Sequence, residues 1–404
     1  MGNILIITHY YAPDGGAAAS RLTPLARFLR RRGHEVTVLT TLPHYPQGRI
    51  APAYAGKWAD VREEDGVRVV RVWLWATPSP RLSRRLISQL SFMLAASLRG
   101  LSLPRPDVVF IEAQPIFTAL AGRFVAWLKR APTVLNVSDL WPDHLLSVGA
   151  LRETSPIYRL ARWAVDTGYR QARHIVALSP AWARKIAEYA PQQRNISVIL
   201  RGTDTAHFSP SADGDAFRAH HALGDAPLVS FIGTFATQYD FEAQLAVAER
   251  LPDVCFLYVG TGSQRDLVHE RAQRLSNVRL VDWVDSADMP AVWRASTLTY
   301  WAMRPSPLYE GTLPAKLYEA LACGVPMVAS QTGEAAELIA QIGAGVVVPT
   351  GDVGALTQAI ADLLADAPAR QRMAQAARAY AEAHLGFERA LATYADLLEG
   401  VMAT

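Results

Sequence analysis

Short runs of apolar residues alternate in the first half of the chain with longer segments in which apolar positions recur every three or four residues. The first run, Asn3 to Thr8, predicts a buried strand, and the spacing between Thr23 and Arg31 predicts a helix. A second run at Glu35 to Thr40 completes a strand, a helix and a parallel strand. The alternation continues with predicted strands at Val67 to Val72, Val108 to Ile111, Thr133 to Val137 and His174 to Leu178, and a helix at Ile116 to Lys129. This order indicates a parallel, doubly wound sheet.

The second half repeats the pattern, which indicates a second sheet of the same kind. Helices are predicted at Phe241 to Arg250 and in the segment that ends at Leu275. The two halves are expected to join near residues 201 to 210. The predicted strands of this half are Leu228 to Gly233, Cys255 to Gly260, Val278 to Val281, Thr297 to Tyr300 and Pro326 to Ala329.

At 404 residues the chain is longer than one core usually serves, so two domains are expected. We predict Rossmann-like α/β domains at 1–200 and 201–384. Ligands bind beyond the carboxyl ends of the strands in such sheets, so both sets of loops are expected to face a central cleft. The segment 385–404 is predicted to contain a helix that returns to the first domain, because apolar residues recur in it at helical spacing: Leu391, Tyr394, Leu397, Leu398 and Val401.

Composition excludes several classes of protein. Half of the residues are hydrophobic, 19% are charged, and the net charge of +3 is too small to indicate nucleic-acid binding. Cys255 and Cys323 lie in apolar runs, and no Cys or His cluster has metal-site spacing, which favours a reducing cytoplasm. The N-terminus has no signal-peptide pattern, and no apolar run reaches the roughly 18 residues that a spanning helix needs.

The segment from Thr312 to Ser330 predicts an anion-binding helix start. Thr312 is a suitable N-cap and Pro314 suits the first turn, so free amides, the helix dipole and the Lys316 ammonium would converge on a phosphate. Glu319 lies one helical step further and offers a carboxylate to a ribose. Gly324 is expected to end the helix. The alternative is an ordinary surface helix of an α/β domain.

Several short motifs follow one another over nearly the whole chain. They are Gly15-Gly16 after the first strand, Gly33-His34-Glu35-Val36, Gly202-Thr203-Asp204 with Phe208, Gly260-Thr261-Gly262, Asn277-Val278 and the block from Lys316 to Ser330. In this order the chain resembles the retaining GT-B glycosyltransferases of family four. Ser138 to Asp143 and Thr312 to Lys316 are similar to the branch that builds bacterial surface and exopolysaccharide repeat units, typified by N-acetylfucosaminyltransferase-like proteins.

The resemblance implies a donor site in named positions. Gly16 would give its amide to the donor diphosphate, Lys316 and its helix would hold the phosphates, and Glu319 would bind the ribose. Gly262 and the stretch from Asp282 to Val284 would form the wall of the nucleoside pocket, which the segment Thr332-Gly333-Glu334 would close. The donor-site residues implied in this way are Gly15, Gly16, Gly233, Gly262, Trp283, Val284, Glu310, Leu313, Pro314, Lys316 and Glu319.

Two departures from the family pattern matter. The first of the family's two glutamates would fall at Gly311, whereas the nearest acid is Glu310, one position early. The usual Arg and Lys after the strand ending at Gly233 are replaced by Thr234 and Tyr239-Asp240. Phosphate binding is therefore expected to depend more on Lys316 and on amides, with Arg201 or Arg304 as possible substitutes.

A retaining transfer needs stabilisation of the leaving group, a proton acceptor and protection of an oxocarbenium-like state. Lys316 and the helix dipole would meet the leaving-group charge. The other catalytic candidates are Asp139, where many relatives carry a histidine, and His9 after the first strand. A helix-capping role for Asp139 and a structural role for His9 or His44 are the alternatives, and Glu112 is a weaker candidate for acceptor contact.

No metal cofactor is expected, because leaving-group charge can be met without one. Asp213-Gly214-Asp215 mimics the metal motif of the other glycosyltransferase fold, but it lies in a polar stretch and is interpreted as a surface loop. The nucleotide sugar is a substrate and not a cofactor.

From Ala76 to Pro106 the chain has arginines and no acid. Arg81, Arg84 and Arg85 precede apolar residues at helical spacing, which predicts a basic amphipathic helix at the inner face of the cytoplasmic membrane. The alternative is a core helix with solvated arginines. The resemblance adds weight to the membrane, because enzymes of this branch usually act on polyprenyl-diphosphate-linked sugars.

The expected function is therefore metal-independent, retaining transfer of a sugar from a nucleotide sugar, with a UDP-sugar favoured, to a lipid-linked saccharide. A UDP-N-acetylglucosamine 2-epimerase-like enzyme is one alternative, although it has no need of a membrane. A non-catalytic nucleotide-sugar-binding scaffold is the other, suggested by the two departures above.

Overall fold

The computed structural model describes residues 1–79, 81–143, 146, 152–282, 284–306 and 309–403. The chain divides into two compact units, one of Met1–Arg201 with Ala390–Thr404 and one of Gly202–Arg389. The predicted boundaries of 1–200, 201–384 and 385–404 lie within a few residues of these limits. No helix in the described ranges is long and apolar enough to cross a lipid bilayer.

The N-terminal unit contains an eight-stranded sheet. Its strands are β1 (Asn3–Ile7), β2 (Glu35–Thr41), β3 (Ala59–Glu64), β4 (Val67–Val72), β5 (Val108–Glu112), β6 (Thr133–Val137), β7 (His174–Ala177) and β8 (Ile196–Val198). Their order is β3-β4-β2-β1-β5-β6-β7-β8, and every neighbouring pair is parallel except β3 with β4. The predicted parallel sheet is confirmed.

The antiparallel strand β3 is the main element that the sequence did not predict. Its residues are mostly polar and exposed, so it lacks the apolar signal of a buried strand, as is usual for a short edge strand. Asp65 and Gly66 connect it to β4 with φ of 53° and 76°. Two consecutive positive φ values match the tight turns that join hairpin strands.

One face of this sheet is covered by four helices: α2 (Leu82–Leu101), α3 (Ile116–Lys129), α4 (Pro156–Gln171) and α5 (Pro180–Tyr189). Their inward side chains share a core with Val109 and Ile111 of β5, and α2 contributes Phe92 and Ala96 to it. Helix α2 buries mainly small residues, so it approaches α3 closely, and a Cβ on Gly100 would lie 2.3 Å from Val125.

Helix α1 (Ala17–Arg31) connects β1 and β2, and a short 3-10 helix spans Pro52–Tyr54. The last helix, α14 (Phe387–Met402), packs on the opposite face of the sheet from α2, because Tyr394 contacts Phe110, the residue between Val109 and Ile111. Glu399 also accepts a hydrogen bond from His34, at 2.9 Å. The predicted return of the C-terminal helix to the first domain is confirmed.

The C-terminal unit contains a six-stranded parallel sheet in the order β11-β10-β9-β12-β13-β14. Its strands are β9 (Leu228–Ile232), β10 (Cys255–Val259), β11 (Val278–Val281), β12 (Leu298–Ala302), β13 (Met327–Ser330) and β14 (Gly345–Val348). Its helices are α6 (Gly214–His220), α7 (Phe241–Arg250), α8 (Arg265–Ala272), α9 (Met289–Ala295), α10 (Ala315–Cys323), α11 (Glu334–Ile342), α12 (Val353–Ala365) and α13 (Ala367–His384). Adjacent parallel strands bring the loops after β9, β10 and β12 to one edge.

Candidate functional site

The loops after β9 and β10 lie against each other at the carboxyl edge of the C-terminal sheet. The amide of Gly233 donates to Val259 and the amide of Phe235 donates to Thr261, each at 2.9 Å. A Cβ on Gly262 would lie 2.6 Å from the carbonyl oxygen of Phe235, so only glycine fits there. Two predicted donor-site residues, Gly233 and Gly262, are thus held in one compact turn region.

Helix α10 begins later than predicted. Its N-cap residue is Pro314, which has extended backbone dihedrals and no side-chain hydrogen bond to the first turn. The expectation that Thr312 caps this helix was wrong: the chain stays extended through Pro314, and the amide of Thr312 donates to Tyr309 in a separate turn. Lys316 therefore occupies the second helical position, still within the first turn. The helix ends, as predicted, at Gly324, which has φ of 64°.

The side chain of Lys316 ends among aromatic rings. Its Nζ lies 3.3 Å from the ring centroid of Phe231, 4.1 Å from that of Tyr239 and 6.0 Å from that of Trp301, three residues that we call the aromatic cage. Ring faces attract a cation through their quadrupole. Lys316 is only 6% exposed, and no hydrogen-bond acceptor among the described residues reaches its Nζ.

Lys316 also adjoins another predicted site residue. A Cβ on Gly233 would lie 3.3 Å from Cε and 3.5 Å from Nζ of Lys316, so a side chain at position 233 would crowd the amine. Tyr239, the first residue of the Tyr239-Asp240 pair that replaces the lysine implied by the resemblance, is part of the cage. The amine of Lys316 thus lies beside Tyr239 and beside Gly233, the residue that precedes Thr234.

Burial lowers the pKa of Lys316 well below its usual value, and the nearby carboxylate of Glu319 opposes this shift. Desolvation disfavours the charged form of an amine unless an anion compensates for it. The site therefore holds a lysine that would gain a counter-charge from an anionic ligand at the start of α10.

The remaining predicted residues of this unit are distributed around the start of α10. Glu319 is half-buried and accepts a hydrogen bond from Trp293 Nε1 at 3.1 Å, so at least one of its oxygens already has a protein partner. Glu310 is exposed, and its carbonyl oxygen accepts the amide of Glu334 at 2.7 Å. Leu313 and Val284 are half-buried. Trp283 lies outside the described residues.

Glycines introduce helix α1 at the carboxyl edge of the N-terminal sheet. Gly16 is the N-cap of α1, with φ of 94° and no side-chain cap, and Gly15 precedes it. A Cβ on Gly15 would meet nothing within 4 Å. The first amides of α1 therefore follow a loop with little side-chain bulk, an arrangement that suits an anion.

His9 is enclosed by aromatic side chains at the end of β1. Its ring centroid lies 5.0 Å from that of Phe92 and 5.4 Å from that of His44, and its Nδ1 has no partner among the described residues. Burial, and to a lesser extent His44, lowers the pKa of His9 to about 3. His9 is consequently neutral at physiological pH. The neighbouring His44 also has a lowered pKa, owing to burial, which the carboxylate of Asp14 opposes.

Asp139 is exposed and lies two residues beyond the end of β6. Gln114 Nε2 donates to its Oδ2 at 2.8 Å, so a residue from the loop after β5 orients the carboxylate. The motif's second acid, Asp143, has a different environment. It is buried and accepts hydrogen bonds from Tyr158 at 2.6 Å and Tyr189 at 2.5 Å. Asp139 is thus the accessible acid of the pair.

Glu112, a weaker candidate for acceptor contact, is fully buried and does not face solvent. It pairs with Arg21 at 2.6 Å and accepts hydrogen bonds from Ser138 and Asn136. Sequence reasoning missed Arg21, although it lies on the same helical stripe as Leu25 and Leu29 and this spacing could have indicated burial. The Glu112 carboxylate is a structural counter-ion beneath the loop that carries Asp139.

No group of three or more His, Cys, Asp or Glu side chains in the described ranges is arranged to hold a metal ion. The Asp213-Gly214-Asp215 motif begins a helix and is not a loop. Asp213 is the N-cap of α6 and accepts hydrogen bonds from the amides of Asp215 and Ala216. This carboxylate is therefore engaged in capping.

Comparison with known families covers both units. Residues 16–202 match the model described as "Glycosyl transferase 4-like domain", and residues 226–366 match "Glycosyl transferases group 1". The chain belongs to the glycosyltransferases. The first match of this glycosyltransferase ends at residue 202, next to the division between Arg201 and Gly202, and the second lies wholly within the C-terminal unit.

Among curated proteins, the glycosyltransferase is 25% identical to "Putative colanic acid biosynthesis glycosyl transferase WcaI" of Escherichia coli, over 80% of this chain and 81% of that protein. It is 27% identical to "GDP-mannose-dependent alpha-(1-6)-phosphatidylinositol monomannoside mannosyltransferase" of Mycolicibacterium smegmatis, over 98% of both. These similarities extend across both units.

Among solved structures, sucrose-phosphate synthase from Thermosynechococcus elongatus superposes with a TM-score of 0.78 at 19% identity, with both chains fully covered. Anabaena Alr3699/HepE, solved with UDP-glucose, gives a TM-score of 0.73 at 18% identity over 99% of this chain and 100% of its own. The predicted fold class, GT-B with two doubly wound α/β domains, is confirmed.

Proposed function

We propose that this glycosyltransferase moves a sugar, with retention of anomeric configuration, from a nucleotide-sugar donor to a lipid-linked saccharide during bacterial surface polysaccharide synthesis. The observation that carries the donor assignment is the Lys316 amine, which is buried beside Gly233 at the start of α10 without a hydrogen-bond acceptor among the described residues. An amine so placed is suited to a diphosphate, which supplies the missing counter-charge.

In the proposed reaction, the bond between the sugar's anomeric carbon and the β-phosphate oxygen breaks as the acceptor oxygen attacks from the same face. The acceptor proton passes to the departing phosphate, and Lys316 in its protonated form stabilises that leaving group together with the first amides of α10. No metal ion is required in this scheme. Asp139 is exposed and oriented by Gln114, so it is available to a hydroxyl of the donor or the acceptor.

His9 has a narrower role in this proposal than Asp139. Because its pKa is lowered to about 3 by burial, it is neutral and cannot supply a positive charge at working pH. Its enclosed ring supports the shape of the loop after β1, next to Gly15 and Gly16. We therefore propose that His9 contributes to the site by supporting that loop.

A UDP-sugar is the favoured donor. HepE of the same fold was solved with UDP-glucose, which supports this choice, whereas the mycobacterial relative is named as dependent on GDP-mannose. Backbone groups of the loop after β11, near Val284, would read the base. The base is therefore the first property to measure.

A lipid-linked acceptor is supported by the relatives and by charge. WcaI is named for colanic acid biosynthesis and the mycobacterial relative for a phosphatidylinositol monomannoside. Arg81, Arg84 and Arg85 are exposed at the start of α2, where they can attract an anionic lipid or an acceptor diphosphate. We propose peripheral association with the cytoplasmic face of the membrane.

The test is a thermal-shift panel of UDP, GDP, TDP and ADP on the full chain without divalent cations, because a ligand that binds only the native state raises the melting temperature. We expect one diphosphate, UDP, to raise it. A Lys316→Met variant should lose the response, and Lys185→Met, at an exposed lysine of the other unit, should keep it. No response to any diphosphate would overturn the donor assignment.

Turnover separates the enzyme from its alternatives. Once the base is known, the matching nucleotide sugar is incubated with a lipid-linked saccharide, and product is followed by mass spectrometry. A product whose formation needs the acceptor supports a transferase. Conversion of the donor sugar to its 2-epimer without acceptor would favour an epimerase.

A further inference from the structure

The loop after β2 lies against the glycine loop that introduces α1. The buried carboxylate of Asp14 accepts the amides of His44 at 2.8 Å and of Tyr45 at 3.0 Å, so it fastens the two loops together. A Cβ on Gly16 would lie 3.5 Å from Cε1 of Tyr45. The loop after β2 therefore borders the amide that the proposed donor site uses, although none of its own side chains has a part in that site.

Two oxygen atoms hold the proton of the His44 ring on Nδ1. The carbonyl oxygen of Leu42 lies 3.1 Å from Nδ1, and a carbonyl can only accept. The hydroxyl oxygen of Thr41 lies 3.3 Å from Nδ1, and its own proton is donated to the carbonyl of His9 at 2.9 Å. Nδ1 must therefore be the donor nitrogen, and the tautomer of the neutral ring is fixed by its surroundings.

The other ring nitrogen of His44, Nε2, is left as a hydrogen-bond acceptor. Both side-chain hydrogen bonds that His44 forms with described residues use Nδ1. Burial lowers the pKa of His44, with the carboxylate of Asp14 opposing the shift, so the ring is neutral at physiological pH and Nε2 keeps its lone pair. Such an atom binds a hydroxyl or an N–H and repels an ionised phosphate or carboxylate, which can only accept. Its partner is therefore not the donor diphosphate.

Aromatic rings extend from His44, which is 8% exposed, to the more exposed Tyr45. The ring of Tyr10 is stacked on that of His44, with centroids 5.6 Å apart and planes at 24°. The ring of Tyr45 meets that of Tyr10 edge-on at 5.3 Å and is 45% exposed. We call these three residues the aromatic row. An exposed tyrosine ring offers an apolar face with a polar hydroxyl at its end, which matches the C–H face and the hydroxyl rim of a sugar ring.

We propose that the aromatic row binds the saccharide that receives the transferred sugar, with its ring against Tyr45 and one of its hydroxyls donating to His44 Nε2. The position of the row beside Gly16 supports this assignment, because the acceptor must reach a sugar whose diphosphate is held there. His44 then acts as a specificity residue, since a saccharide without that hydroxyl leaves Nε2 unpaired. The inference rests on the proposed function for the transfer itself, in which the departing phosphate, and not His44, takes the acceptor proton.

The probes are the p-nitrophenyl glycosides of glucose, galactose, mannose and N-acetylglucosamine, titrated into the full chain without nucleotide and followed by NMR. We expect at least one of them to bind. Among the monodeoxy analogues of the tightest one, a single analogue should bind about fivefold more weakly, the effect of one lost hydrogen bond between neutral groups. That analogue identifies the hydroxyl that donates to His44.

Variants at His44 separate hydrogen bonding from folding. His44→Leu should bind the parent glycoside about fivefold more weakly and should no longer distinguish it from that deoxy analogue. His44→Gln, which can place an amide oxygen near the position of Nε2, should keep most of the discrimination. Tyr45→Leu should weaken binding of every glycoside, and Trp58→Leu, at a ring of the same unit that is 75% exposed, is its matched control.

Nitrogen-15 labelling of histidine gives a readout that needs no substitution. We expect His44 to show the tautomer with the proton on Nδ1, and its Nε2 resonance to move when the glycoside is added. A proton on Nε2, no binding of any glycoside, or unchanged discrimination in His44→Leu would each overturn the proposal. The thermal response to UDP is measured on the same proteins and should survive in His44→Leu. Its absence from the wild type would refute the donor assignment alone, whereas the glycoside titrations would still test the aromatic row.

Discussion

The ammonium nitrogen of Lys316 lies 3.3 Å from the centre of the Phe231 ring. An amine enclosed in this way is stabilised by the ring faces, yet burial lowers its pKa well below the usual value. The aromatic cage therefore holds Lys316 close to where the proposed diphosphate binds while giving it no anionic contact of its own. Binding of the donor would draw the side chain out of the cage and restore its charge.

Replacement of Lys316 by Met should weaken binding of the preferred nucleoside diphosphate by about 10- to 100-fold, because a hydrogen bond to a charged group contributes about 1.5–3 kcal/mol. The methionine keeps the apolar stem that the cage encloses. Isothermal titration calorimetry with Lys185→Met as the control measures the effect. Equal affinity in both variants would remove Lys316 from the phosphate site.

Binding should also take up a proton. The free protein holds Lys316 at a lowered pKa, and a bound diphosphate raises that pKa again by supplying negative charge. In the pH range above the lowered value, the complex therefore carries more protons than the separated partners. Calorimetry in two buffers of different ionisation enthalpy reports this uptake, which the Lys316→Met variant should lack.

The same lysine makes a prediction about stability. Because burial lowers the folded-state pKa of Lys316 below the ordinary value of 10.5, the unfolded chain binds the extra proton in the window between the two values. Stability without ligand should consequently rise with pH through that window. The free energy of unfolding, measured by urea denaturation at several pH values in this window, should depend less steeply on pH in Lys316→Met than in the wild type. An identical pH dependence would show that the amine stays charged when buried.

Position 239 offers a gain-of-function test. The ring centroid of Tyr239 lies 4.1 Å from the Lys316 amine, and Tyr239 belongs to the Tyr239-Asp240 pair that replaces the lysine implied by the resemblance. In a Lys316→Met background, Tyr239→Lys should recover part of the lost diphosphate affinity, since it returns a cation to the carboxyl edge of the C-terminal sheet, close to the position of the Lys316 amine. Tyr239→Met in that background is the control. No recovery would mean that the amine must come from α10.

The sequence was sufficient for the architecture and for Lys316, but not for what surrounds that lysine. Periodicity predicts the central parallel strands of both sheets, because such strands are apolar throughout, but it did not predict the edge strands β8 and β14. The aromatic cage is assembled from β9, the loop after it and β12, so Phe231 and Trp301 are 70 positions apart in the sequence and no local pattern links them. Similarly, the apolar stripe of α2 predicted a helix, but which side is buried depends on how closely α3 approaches Gly100.

Asp139 should matter for turnover more than for donor affinity. It is exposed, and Gln114 orients it at 2.8 Å, whereas the neighbouring acid Asp143 is engaged by two tyrosines. Asp139→Asn keeps the size of the side chain and removes its charge, so kcat should fall by at least tenfold while the Kd for the nucleotide stays within twofold. Steady-state kinetics with the lipid-linked acceptor, paired with calorimetry, separates the two. Wild-type kcat would make Asp139 structural.

Beneath that loop, the buried pair of Arg21 and Glu112 should control stability. Glu112→Gln leaves the Arg21 charge buried without a carboxylate, and breaking a buried pair in this way costs about 3–5 kcal/mol. Tyr394→Phe removes one hydrogen bond to Asn136 from α14 and should cost only about 1 kcal/mol. Urea denaturation, followed through the unfolding transition of the N-terminal unit, tests this order. The control is Glu188→Gln, which changes an exposed ion pair. If Glu112→Gln cost no more than the control, the carboxylate would not be the counter-ion that holds Arg21, and the position of the Asp139 loop would have to depend on other contacts.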